Sequence, residues 1–465
     1  MQRYVLDGDR LAGQGDFQSA LEKYTKAYMG IVSSIRGQSF SKEVAVAVFN
    51  REQLGQEMLR MMRDEFTPEE LDLMESSFKV LGLVEPELNC QELFTKMLTE
   101  EVAGFYDPDT KRMVLIVEDG PVEDPGWFSR FLGAKPAFDK AEQKTTLAHE
   151  LTHALQDQLY DLNRMEEAIE GDDDMLLAFS GIVEGDATLL MMAESQDEEI
   201  TDMDPATMRA TFRMMSWMMP LAGGETFRSA PAIFRESLMF PYVQGMLFVI
   251  EQANEQGWPS VHSLYARPPQ SSEQILHPEK YRQGAQYDAP QAVNLPDCLQ
   301  LLGDQWNLLG KNCLGEFQTG VLLRRVPGGN RAARGWDGDS YQVYKNREGH
   351  LGLAMLTIWD SEQDAREFAE AYCRYRGRQF EDAQAIAFSA PTDARPENWL
   401  ASKGDLRKSP IFASEAQSLV ALGKEQVAIV EGFDEALCAK LFNKIVSTAT
   451  FSTKIAVGSS QQAAP

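Results

Sequence analysis

Two histidines four residues apart, His149 and His153, lie in the segment Leu147–Gln158 (LAHELTHALQDQ), with Glu150 between them. An α-helix sets residues four apart one above the other on the same face. The flanks predict that helix. Asp139–Lys144 are good helix formers, Leu147, Leu151, Leu155 and Leu159 recur at helical spacing, and no Gly or Pro interrupts 139–160. On such a helix both imidazoles reach one metal ion, and Glu150 can touch a water bound to it. Only five histidines occur in the 465 residues, so finding two of them here argues against a chance placement on a solvated face.

A catalytic zinc takes three protein ligands and keeps one position open. Downstream, Leu176–Leu190 (LLAFSGIVEGDATLL) reads as a second, largely buried helix, with Glu184 inside its apolar run. A carboxylate buried without a partner costs several kcal/mol, about 2–7 for a polar group and more for a charge, so a metal is the natural partner for Glu184. The alternative is a carboxylate on the exposed side of its helix. Glu166, Glu167, Asp172, Asp173 and Asp174 compete as ligands, but their polar surroundings read as a solvated loop.

HELTH followed by a helix carrying VEGDA resembles the gluzincins, thermolysin-like zinc metallopeptidases whose third ligand is a Glu on a later helix. The resemblance implies His149, His153 and Glu184 as ligands of one zinc ion and Glu150 as general base. It extends to GFYDP (Gly104–Pro108) and to PPQSSEQILHPEKY (Pro268–Tyr281), which are similar to segments of bacterial gluzincin-like proteins, and spans about residues 70–285. It names no substrate beyond a peptide or protein.

A ligating His normally donates its other ring N–H to a carboxylate or carbonyl. Asp157, one turn past His153, and Asp186, two residues past Glu184, are the candidates. Each could equally be a surface Asp. Gly104–Val117 reads as two short strands around a Pro-Asp turn. The second of them, Met113, Val114, Leu115, Ile116 and Val117, is assigned to edge pairing with extended substrate, against an ordinary core strand. An oxyanion needs a donor beyond the metal. Tyr106, Tyr242, His262, His277 and Tyr281 are candidates, with His277 first because it precedes Pro278 in an irregular segment.

At 465 residues, two or three domains are expected. The net charge of −27 disfavours nucleic acid and anionic membrane as partners and reads mainly as a solvated acidic surface. Five cysteines show no metal-ligand spacing, and Cys298 and Cys313 are close enough in sequence to pair. No signal peptide or membrane span is legible, so the chain as written reads as cytoplasmic, though a mature exported form would look the same.

Residues 8–24 resemble one tetratricopeptide unit, with the turn at Gly15-Asp16. Lys42–Phe49 reads as a strand, 51–101 as mostly helical with an N-cap at Thr67, and the Met-rich 208–219 as a core-lining helix. After 290, strand–strand–helix recurs twice, at 340–375 and 418–446, which predicts a sheet covered on one face by helices. The expected fold class is α+β. A helical hairpin (1–40) precedes a mainly helical zincin-like domain with a small sheet (41–290), and an α+β C-terminal domain (291–455) and a flexible tail (456–465) follow. The expected activity is zinc-dependent peptide hydrolysis. The rivals are a non-catalytic binding or chaperone-like protein on a zincin scaffold and a zinc hydrolase of non-peptide amides.

Overall fold

The computed structural model describes residues 1–101, 104–116, 140–196, 199–215, 224–253, 256–379, 399–406 and 409–455. Helices α1 (Gln2–Ala12) and α2 (Phe17–Arg36) form the expected hairpin. Asp16 caps α2 through the Ser19 N–H, and Gly37 ends it in the left-handed conformation that a residue without a Cβ adopts freely. The hairpin does not stand apart. Leu21, Tyr24, Tyr28 and Val32 share one apolar core with the helices that carry the histidines.

Strand β1 (Ala45–Phe49) starts later than its sequence pattern suggests. The side chain of Gln158 accepts the N–H groups of Ser41 (2.8 Å) and Lys42 (3.1 Å), which diverts that stretch from the ladder. Helices α3 (Arg51–Glu65), α4 (Pro68–Leu81) and α5 (Cys90–Glu101) follow, with the expected Thr67 cap closed reciprocally by Glu70. Strands β2 (Gly104–Asp107) and β3 (Arg112–Ile116) turn at the predicted place. The sheet order is β1-β3-β2, with β1 parallel and β2 antiparallel to β3. This corrects the substrate-strand assignment: Met113, Val114, Leu115 and Ile116 lie in the central strand, whose hydrogen-bonding sides are both taken. Among the described residues β1 and β2 are the edge strands, and β2 is the one beside Glu150, through the Tyr106 N–H. Val117 lies outside the described residues.

Helix α6 (Lys140–Tyr160) carries HELTH, and Asp161 at φ 58 breaks it from α7 (Leu162–Glu167). Helix α8 (Asp173–Gln196) is the second buried helix. The acidic stretch between them is solvated only in part and is not a plain loop, with Glu166 and Glu167 exposed and Asp174 buried. Glu166 and Glu167 are helical, and Asp174 is buried at the start of α8, where its Oδ1 accepts the Ser272 N–H at 3.1 Å. Helix α9 (Pro205–Met215) covers part of the Met-rich segment; Met208 packs on the core, Met214 is exposed, and 216–219 lie outside the described residues. Helices α10 (Glu225–Ser229), α11 (Ala232–Phe240), a π-helical turn (Pro241–Gly245) and α12 (Met246–Ala253) pass behind α8. Among the described residues two stretches, Asp173–Gln196 and Ala232–Ala253, are long and apolar enough to cross a membrane by composition, and in this fold both are packed into the helical core.

The C-terminal part holds a two-stranded ribbon, β4 (Gln291–Asn294) paired antiparallel with Thr450–Thr453, and a six-stranded antiparallel sheet, β5 (Trp306–Asn312), β6 (Trp336–Asn346), β7 (Leu351–Trp359), β8 (Leu400–Asp405), β9 (Gln417–Leu422) and β10 (Gln426–Phe433), in the order β5-β6-β7-β10-β9-β8. The repeat is visible as two three-stranded halves meeting at β7 and β10. Their helices lie on opposite faces, contrary to the one-sided sheet expected. Phe368 and Tyr372 of one (Glu362–Gln379) pack on Tyr341, Leu353 and Ile429, whereas Leu441 and Phe442 of the other (Glu435–Thr448) pack on Tyr344, Leu356 and Val430. Near-continuous apolar runs such as LGLAMLTIW (351–359) are the signature of a strand buried on both sides. Cys298 and Cys313 belong to the two opposite cores, and all five cysteines are free thiols. Helix α4 also joins this sheet. The Val80 carbonyl accepts from Arg376 at 2.7 Å, and the buried Arg376 guanidinium pairs with Glu431. The tail 456–465 lies outside the described residues.

Candidate metal centre

The HELTH helix delivers what its periodicity requires. Leu147, Leu151 and Leu155 face the core, and the histidines share the adjoining face. Helix α8 brings Glu184 onto them. Its approach depends on glycines, because Gly181 and Gly185 flank Glu184 and meet Gly245 of the π-helical turn almost backbone to backbone. A Cβ on Gly245 would lie 2.1 Å from the Gly181 carbonyl oxygen, and one on Gly185 would lie 2.4 Å from the Gly245 carbonyl carbon. Only glycine fits such a crossing.

His149 Nε2 lies 3.1 Å and His153 Nε2 lies 3.3 Å from Glu184 Oε2, and the two imidazole nitrogens are 3.0 Å apart. Zinc bonds of about 2.0–2.1 Å in a tetrahedron set neighbouring ligand atoms about 3.3 Å apart. The three donors match that spacing within a few tenths of an ångström, and two nitrogens with one carboxylate oxygen suit zinc chemically. His149 is buried and His153 nearly so, while Glu184 retains 23% exposure, so the triangle opens toward solvent on the carboxylate side. With no metal, burial alone would push His153 down, but the Glu184 charge and hydrogen bond bring it up to about 9. Glu184 is held far below the carboxylate range: burial opposes its ionisation, and His153 and His149 overcome it.

Glu150 is buried, and the Tyr106 N–H donates to its Oε2 at 2.7 Å. Burial pushes Glu150 up, the two histidines pull it down, Glu184 raises it, and the Tyr106 N–H lowers it.

The candidates for orienting a ligand separate. Asp157 accepts from the Tyr106 hydroxyl (2.8 Å) and Lys111 (2.9 Å), and so supports β2 rather than a histidine. His153 Nδ1 faces Gln156 Oε1 at 2.9 Å, and Asp186 stands behind Gln156 at 2.9 Å. Gln156 went unnoticed in the sequence because a Gln three residues along a helix carries no metal signature.

The oxyanion candidates also separate, and His277 is not the one at the centre. Its Nε2 lies 3.0 Å from Glu316 and its Nδ1 3.9 Å from Glu279. The Tyr281 hydroxyl donates to the Arg267 carbonyl (2.7 Å), His262 meets Tyr160 (2.5 Å), and the Tyr106 hydroxyl is on Asp157. Tyr242 is the candidate beside His149 and Glu184. Its ring stacks near His149, with centroids 6.1 Å apart, and its hydroxyl hydrogen-bonds Glu184. Burial, then the charges of Glu184 and Glu150, raise its ionisation well above the ordinary range, so it remains a proton donor. It sits on the π-helical turn, a distortion frequent at functional sites.

Residues 307–438 match a family described as a domain of unknown function, DUF8575. That match covers the C-terminal sheet and none of the residues of the metal centre. No curated protein and no solved structure matches the chain at a significant level.

Proposed function

We propose that the protein is a zinc-dependent peptidase. The observation that carries this reading is the convergence of His149, His153 and Glu184 at mutual distances of 3.0–3.3 Å, with the Glu150 carboxylate on the same helix beside them. A zinc ion held by the three would polarise a scissile carbonyl and acidify a water. Glu150 receives the proton of the attacking water and returns it to the leaving amine. Its buried setting and raised affinity for protons suit a base that must also act as an acid. The Tyr242 hydroxyl, beside Glu184, would be the donor to a developing oxyanion. Glu150 also argues against a purely structural metal site, since holding the ion needs only the other three.

The test is metal content together with cleavage of a mixed peptide pool. One zinc per chain is expected, with chelator-sensitive fragments. The Glu150→Gln variant should keep its zinc and lose activity by about 10²–10⁴-fold, the contribution of general acid–base catalysis. Full turnover in that variant refutes the assignment. Zinc without any peptide cleavage by the wild type favours a non-peptide amide substrate.

A further inference from the structure

We propose that Gln156, and behind it Asp186 and Arg36, are positioning residues that set the metal-binding tautomer of His153, so that the N-terminal hairpin forms part of the metal centre's scaffold. The inference rests on the zinc reading above and deepens it.

The geometry fixes the Gln156 amide. One side of it meets two groups that only accept, the Val183 carbonyl at 3.0 Å and Asp186 Oδ2 at 2.9 Å. The NH2 must point there, which turns Oε1 toward His153 Nδ1 at 2.9 Å. An acceptor facing Nδ1 makes it the protonated nitrogen and leaves Nε2 a lone pair for a metal. A flipped amide would present its NH2 to Nδ1 and select the opposite tautomer, whose Nε2–H cannot bind one.

Asp186 is what makes the flip costly, and Asp186 is itself held. Its Oδ2 also accepts from the Tyr265 hydroxyl (2.9 Å) and its Oδ1 from Arg36 Nη1 (2.7 Å), with both members of the ion pair fully buried. The Arg36 guanidinium lies 4.7 Å from the Trp258 ring centroid. Arg36 is the last residue of α2, fixed by the left-handed Gly37 that follows. An unbroken line of contacts therefore runs from the end of the hairpin through Asp186 and Gln156 to a metal ligand. Taking Arg36 away leaves a buried carboxylate without its counter-charge and without the contact that fixes it in place, so it shifts from the Gln156 NH2 and frees the amide.

The experiment uses the full chain and its Gln156→Met and Arg36→Met variants. The readouts are zinc affinity by competition with a chromophoric chelator, and the visible d–d spectrum of the cobalt(II)-substituted protein. Folding of the metal-free proteins is followed by circular dichroism. Gln156→Met removes the acceptor without adding charge and should weaken zinc binding by about 10–100-fold, with an altered cobalt spectrum. Arg36→Met should shift affinity and spectrum in the same direction as Gln156→Met; should it fail to fold, Gln156→Met decides. Folded Gln156→Met with wild-type affinity and spectrum overturns the inference. A wild-type chain that binds no zinc sinks the metal centre itself and this inference with it, whereas zinc-binding wild type with unaltered variants sinks this inference alone.

Discussion

The backbone N–H of Tyr106 donates to the Glu150 carboxylate at 2.7 Å, joining the free side of β2 to the proposed general base. Along an antiparallel strand, the N–H and C=O of one residue point to the same side, and alternate residues share it. Because Tyr106 turns its N–H away from β3, the Tyr106 carbonyl and the backbone of Gly104 project on that side too. An extended polypeptide pairing there would run past Glu150. N-methylation of a cleaved peptide at successive positions should therefore raise KM by about tenfold where the lost N–H would pair with β2, the worth of one net hydrogen bond. The intervening positions should change little. A flat response across the peptide would exclude edge pairing.

Tyr242 reaches the centre through the close crossing of α8 and the π-helical turn, and its hydroxyl bonds Glu184. Tyr242→Phe keeps the ring beside His149 and deletes the donor. We expect kcat to fall by about 10²–10³-fold, as for loss of an oxyanion donor, with KM and zinc content near wild type. An unchanged kcat returns the role to another group.

Glu184 supplies the one carboxylate oxygen in the triangle. Glu184→Ala leaves two imidazoles, fewer than a catalytic zinc takes. Elemental analysis after dialysis should find the variant stripped of most of its zinc. A full complement would mean another acid is the third ligand.

The two histidines and Glu150 were legible because one helical turn brings them together, and a local period is written in the sequence. Glu184 was legible more weakly, as an acid inside an apolar run. The Gly181 and Gly185 pair flanking it was an overlooked sign of a close helix crossing. Tyr242 and Gln156 take their roles from where separate helices meet, which no local pattern encodes. The same applies to β2 and β3. Each reads as a short strand, but β3 becomes interior only because β1, more than sixty residues earlier, pairs along its other side. In the C-terminal half the strand–strand–helix repeat was readable, and the opposite placement of its helices was foreshadowed by strands without polar alternation. Asp174 misled for the converse reason: its neighbours in sequence are acidic and soluble, while its neighbours in space are Ser272 and Gly315.

Asp174 carries a consequence for stability. Burial, partly offset by Lys454, pushes its carboxyl up to about 7, against an ordinary value near 3.8. The folded state therefore binds a proton that the unfolded state releases between those values. Stability from this group is complete below the unfolded value and is lost as pH rises through about 7. Asp174→Asn has the same shape, can still accept from Ser272, and does not titrate. The difference in melting temperature between the variant and wild type should be small near pH 4 and should grow in the variant's favour up to about pH 8. Thermal melts of the metal-free proteins across that range decide the matter. Parallel curves would mean that the Asp174 carboxylate is fully compensated at neutral pH by Lys454, whose own ammonium lies 2.6 Å from Asp172.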